Sequence, residues 1–98
     1  MNIAEIILEQ LGGNRFLIMT GAKNLVNTGN GLAFSLPANF AKEKINHVHI
    51  ALTKEDLYDV IYSNRRGINF KEITKSEAIY CDMLEADFTE TTGLSLRI

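Results

Sequence analysis

With 98 residues and a mass of 11.0 kDa, the chain can bury one hydrophobic core and not two, so residues 1–98 are expected to form a single globular domain. Hydrophobic residues make up 46% and charged residues 22%, which excludes the weakly hydrophobic, highly charged regime of disordered chains. Ten Lys and Arg against twelve Asp and Glu leave a net charge of -2, so no global basic field favours a phosphate backbone and nucleic acid is disfavoured as a partner.

Asn2 is placed to cap a first helix, with Glu5 answering it in a capping-box arrangement, and Ile3, Ile6, Ile7 and Leu11 follow the helical period. This stretch is far shorter than the ~20 apolar residues of a membrane span, and Met1 leads into no basic segment resembling a signal peptide. Gly12 is positioned to close the helix and Gly13 to loosen the reversal. From Arg15 to Thr20, Phe16 and Ile18 alternate with Leu17 and Met19, which predicts a strand apolar on both faces. Gly21 to Gly31 reads as a long polar connection. It delivers a strand with Leu32, Phe34 and Leu36 on one face and Ala33 and Ser35 on the other, ended by Pro37.

Ala38 to Lys44 is a mixed loop whose one aromatic, Phe40, is expected to tuck over the core edge. Val48, Ile50 and Leu52 alternate with His47, His49 and Ala51, and after Lys54, Glu55 and Asp56 the alternation resumes with Tyr58, Val60 and Tyr62. A hairpin follows, with Leu52 opposite Tyr58 and Ile50 opposite Val60. Arg65, Arg66 and Gly67 mark a turn, and Ile68 to Ile73 a short edge strand. Thr74 and Glu77 form a second capping box, predicting a helix to about Thr92 that stops at Gly93 and buries Tyr80, Cys81, Leu84 and Phe88 in one stripe. Asp82, Glu85 and Glu90 then look outward, and Leu94 to Ile98 forms a short apolar tail.

The expected fold is α+β in two layers: a four- to five-stranded antiparallel meander sheet with the N-terminal and C-terminal helices on one face. The other face stays uncovered. It would carry Leu17, Met19, Ala33, Ala51 and Ile61 beside His47, His49 and Asp59, which is more apolar than a solvated face requires and marks an interface.

Chemical sites are sparse. His47 and His49 sit two apart on one strand face, and with Asp59 across the hairpin they are the one candidate metal set, short of a tetrahedral site without a further ligand. Cys81, the single cysteine, forbids an internal disulfide, fits a reducing compartment, and reads as a buried small hydrophobe. Gly21 to Gly31 lacks the Gly-Lys-Ser or Gly-Lys-Thr ending of a phosphate cradle, so no cofactor is called for. The acids Glu77, Asp82, Glu85, Asp87 and Glu90 read as a solvated helix face. No titratable pair is placed to act together, which ranks catalysis below binding.

The run LEQLGGNRFLIMTGAKN, the hairpin ALTKEDLYDV and the ending FTETTGL resemble a family of small, functionally uncharacterised proteins of bacteriophages, prophages and bacterial mobile elements. The family shares the helix-to-strand junction, the Tyr58–Asp59 pair and the Thr92-Gly93-Leu94 ending; an aromatic commonly follows the latter, where this chain has Ser95. The resemblance implies a phage or mobile-element origin and supplies no activity; with no membrane-length apolar stretch and no segment resembling a signal peptide, the expected location is the cytoplasm of the bacterial host cell. The leading expectation is a non-catalytic protein–protein interaction module that forms a homodimer or binds a host or phage protein. The alternative is a nucleic-acid-associated protein using Arg65, Arg66 and Lys71 with the loop lysines Lys42 and Lys44.

Overall fold

The computed structural model describes residues 2–37 and 41–94. Helix α1 (Ile3–Leu11) is capped as its sequence predicts: the Asn2 side chain accepts the Glu5 amide at 2.9 Å and its own amide lies 3.4 Å from the Glu5 carboxylate. Ala4, Ile7 and Leu11 are its buried face, and full burial of side chains such as Ile7 and Leu11 contributes roughly 1.5–3 kcal/mol each. Gly12 closes the helix at φ 127°, and the amides of Gly12 and Gly13 donate to Glu9 and Leu8.

The predicted strand over Arg15–Thr20 is instead a second helix, α2 (Asn14–Thr20). Phe16 and Thr20, one turn apart, are both fully buried, whereas Ile18 is 80% exposed. A short continuous apolar run fits strand and helix periods equally, and here the four-residue spacing wins. The Thr20 hydroxyl donates to the Phe16 carbonyl at 2.8 Å and accepts the Ala22 amide at 3.2 Å, so it both seals the helix end and starts the next segment.

Residues read as a polar connection hold strand β1 (Lys23–Asn27), which pairs antiparallel with β2 (Gly31–Ser35). All five β1 residues are exposed; an edge strand this open carries no burial pattern to read. The hairpin of β3 (His47–Leu52) and β4 (Tyr58–Arg66) has the expected register, Leu52 opposite Tyr58 and Ile50 opposite Val60. Strand β5 (Asn69–Ile79) completes a five-stranded antiparallel meander in chain order. The β4–β5 turn is Gly67–Ile68, with Gly67 at φ 59°, the backbone that two-residue hairpins with glycine first adopt.

The second capping box is not a helix start. Thr74 and Glu77 lie in β5, which extends to Ile79, and helix α3 spans only Leu84–Thr92 after a single 3₁₀ turn at Cys81–Met83. Continuing the strand gives the β4 backbone partners that an early helix would withdraw. At the far end Asp59 accepts the Ala78 amide at 3.1 Å, bridging the irregularity where the register shifts. The predicted stripe is therefore cut in half: Leu84 and Phe88 are fully buried, Tyr80 is 65% exposed and Cys81 is exposed.

All three helices pack on one sheet face, where Ile7, Leu11, Phe16, Leu84 and Phe88 join Leu32, Phe34, Val48, Ile50, Val60 and Tyr62 in one core. Phe16 sits edge-on to both Phe34 and Phe88 at 5.3 and 5.2 Å between centroids, a geometry that matches ring edges to ring faces. Leu17 packs against this core from α2, so Leu17 and Met19 are not on the open sheet face. The readings of Phe40 and of the tail beyond Leu94 lie outside the described residues.

Candidate functional site

The side chains that alternate with the core set form the other sheet face. Register aligns Val26, Ala33, His49, Ile61 and Lys75 in one row across all five strands, flanked by Ala51 and Asp59 on one side and by His47 and Ser63 on the other. Among the described residues no helix packs there. Ala33, Ala51 and Ile61 occupy this face as predicted; with Leu17 and Met19 removed, the apolar patch is smaller and centred on Ile61. Val26 at its β1 border, 53% exposed, extends it.

His47 and His49 do not join Asp59. His47 packs edge-to-face on Phe70, with centroids 4.9 Å apart, His49 Nε2 lies 3.3 Å from the Thr28 hydroxyl, and Asp59 is occupied with the Ala78 amide. Among the described residues no three His, Cys, Asp or Glu converge as a metal site would need. Partial burial lowers the pKa of both histidines, and for His47 the charges of Arg65 and then His49 lower it further. Protonation of these two imidazoles is disfavoured at neutral pH.

The basic residues separate at the β4–β5 tip. Arg65 lies opposite Phe70 in the register. Its guanidinium carbon sits 5.4 Å from the ring centroid and its Nε donates to the Gly67 carbonyl at 3.0 Å. Arg66 and Lys71 instead line an open groove of about 350 Å³ with Lys44, Asn64, Asn69 and Phe70. Lys42 is elsewhere: its stem lies so close to Gly93 that an added Cβ there would stand 2.9 Å from Lys42 Cε, which places this lysine at the electronegative end of α3.

One wall of the groove is the segment around Lys44, where Glu43 and Lys44 both have positive φ. Two asparagines fix it to β4. Asn64 donates to the Lys44 carbonyl at 2.7 Å, and the Asn46 side chain accepts the Arg65 amide at 2.6 Å while donating to the Arg65 carbonyl at 3.0 Å. These side-chain hydrogen bonds, two from Asn46 and one from Asn64, fasten the segment to β4 and hold a conformation that non-glycine residues disfavour. The sequence reading missed Asn46, Asn64, Asn69 and Phe70; taking Gly67–Ile68 as a two-residue turn would have set Phe70 against Arg65 and Lys71 against Asn64.

No described helix is long and apolar enough to cross a membrane. No family model, no curated protein and no solved structure matches the chain.

Proposed function

We propose that the chain is a non-catalytic protein–protein interaction module that pairs with a second copy of itself through the open sheet face. The observation that carries this is the row Val26–Ala33–His49–Ile61–Lys75. One-sided antiparallel sheets present polar residues to water, and here alanine, isoleucine and valine occupy that position with histidines held toward their neutral form. The face also complements itself in charge. Asp59 stands near one end and Arg65 at the other, so an antiparallel two-fold arrangement sets the acidic end of each copy against the basic end of its partner. The sequence resemblance supports placing such a module among phage or mobile-element accessory proteins, and the cytoplasm of the bacterial host is its expected location.

Light scattering coupled to size-exclusion chromatography over a concentration series tests the reading. The wild-type chain should run as a dimer, and Ile61→Lys should shift it to a monomer while the circular dichroism spectrum stays unchanged. A wild-type monomer at the highest concentration, or an Ile61→Lys variant that dimerises equally well, overturns it.

A further inference from the structure

His47 and His49 stand two residues apart on the open face of β3, the central strand of the five. Their ring nitrogens are prepared for a ligand. His49 Nε2 lies 3.3 Å from the Thr28 hydroxyl, and that hydroxyl donates to Asn30 Oδ1 at 3.4 Å. With its proton committed to Asn30, the Thr28 oxygen accepts Nε2–H, which leaves Nδ1 of His49 deprotonated and able to ligate. Holding the second ring N–H by a hydrogen bond is what fixes the tautomer and orientation of a metal-ligating histidine. His47 packs edge-to-face on Phe70 and has no hydrogen-bond partner among the described residues, so both of its nitrogens are uncommitted. Metal binding requires the neutral imidazole, the form that partial burial favours for both residues.

One chain supplies two ligands, and a tetrahedral site needs more. Self-association through the open face, the reading on which this site depends, completes the set. On β4 a two-fold axis that sets Asp59 opposite the partner's Arg65 passes midway between those positions, at Tyr62. Register pairs Tyr62 with Val48. On β3 the same axis therefore passes at Val48 and sets each His47 opposite the other copy's His49, so that four imidazoles surround one point. Residues two apart on a strand are separated by about 6.6 Å and packed sheets by about 10 Å, which puts that point about 6 Å from each of the four Cα atoms. This is within the reach of an imidazole plus a metal–nitrogen bond of about 2.0–2.1 Å. Arg65, whose charge acts on His47, is offset in the same arrangement by the partner's Asp59. We infer that His47 and His49 of two copies together hold one divalent transition-metal ion of the zinc class at the centre of the dimer interface, His49 ligating through Nδ1.

Zinc chloride titrated into metal-stripped protein tests this, read by isothermal titration calorimetry and by light scattering coupled to size exclusion, with EDTA as the reference. One Zn²⁺ should bind per two chains. With free Zn²⁺ at about 100 times its dissociation constant, self-association should be about 100-fold tighter than in EDTA. His47→Gln and His49→Gln each remove half of the ligands and should abolish that uptake. Ile61→Lys keeps both histidines but breaks the pairing, and should abolish it too. Thr28→Val keeps all four imidazoles and should weaken Zn²⁺ binding about 10- to 100-fold by releasing the His49 tautomer. A dimer that takes up no Zn²⁺, or one ion per chain, overturns the metal site and leaves self-association standing, as does a His49→Gln dimer that binds Zn²⁺ as tightly as wild type. A chain that stays monomeric both in EDTA and in Zn²⁺ overturns self-association as well.

Discussion

The hydroxyl of Tyr62 donates to the carboxylate of Asp87 at 2.7 Å, joining the centre of the sheet to helix α3. Tyr62 is fully buried by its residue surface, and a hydrogen bond to a charged acceptor contributes about 1.5–3 kcal/mol where its loss strands a partner. Tyr62→Phe should therefore lower unfolding stability by that amount in a urea titration. A change below ~0.5 kcal/mol would mean that water replaces the tyrosine at no cost.

The same contact sets an alkaline limit. Burial, reinforced by Asp87, raises the Tyr62 pKa well above that of a free phenol, and burial raises that of Tyr58. Because the folded chain holds these protons more tightly than the unfolded one, their stabilisation is complete below about pH 10 and drains away as pH rises beyond it. Melting temperatures measured from pH 9 to 11 should fall, and fall less in Tyr62→Phe. Parallel curves for the two proteins would contradict the linkage.

Leu84 and Cys81 lie three residues apart and should behave in opposite ways. Leu84 is fully buried in the core, so Leu84→Ala should cost ~2–5 kcal/mol. Cys81→Ser should stay within about 0.5 kcal/mol of wild type, and the exposed thiol should react with a thiol reagent in the native protein as fully as in denaturant. A protected thiol would restore the single long stripe from Tyr80 to Phe88.

That pair also shows where the sequence could be read and where it could not. Leu84, Phe88 and the register of Ile50 against Val60 were legible because buried residues on a regular element leave a period. The boundary between β5 and α3 was not. Thr74 and Glu77 have the spacing of a capping box, and only the pairing of Tyr62 with Thr74 and Ile61 with Lys75 commits them to a strand, a non-local cause that no window of sequence contains. For the same reason Leu17 and Met19 were assigned to the wrong surface: their run is apolar in either conformation, and the docking of Phe16 against Phe34 and Phe88 decides it. At the tip, Arg66 and Lys71 were visible as charges, whereas the groove depends on Asn46 and Asn64 fastening the Lys44 segment to β4.

Acid should act on the open face. The pKa values of His47 and His49 lie below the free imidazole value, chiefly through burial. The folded chain thus binds these protons less readily than the unfolded chain. Stability is fully present above about pH 6.5 and is lost as pH falls through the lowered values. Melts at pH 7.5 and pH 5 should show a drop that His47→Gln reduces, and Arg65→Gln should also reduce it by removing one of the charges that oppose protonation. If both variants lose as much as wild type on acidification, other groups carry the effect.

Two glycines are required for opposite reasons, and one added methyl group separates them. At Gly12 a Cβ would find ordinary space, its nearest neighbour being Phe16 Cβ at 3.5 Å, but φ is 127°, where side-chain-bearing residues are strained. At Gly31 φ is not positive, yet a Cβ would overlap the Ile50 carbonyl oxygen and approach Ala51 Cα to 2.9 Å. Those atoms belong to the backbone of β3 and cannot yield without breaking the β2–β3 ladder. Gly12→Ala should therefore cost on the order of 1–3 kcal/mol by backbone strain alone. Gly12→Val should cost more than Gly12→Ala, while Gly12→Asn gains only part of its usual tolerance because 127° lies well outside the left-handed helical well near +57°. Gly31→Ala should reach or exceed the upper end of the ~1–3 kcal/mol range for overpacked sites. Urea titrations of Gly12→Ala and Gly31→Ala give the comparison directly, and a Gly31→Ala variant as stable as wild type would show that β2 and β3 do not approach as closely as the register requires.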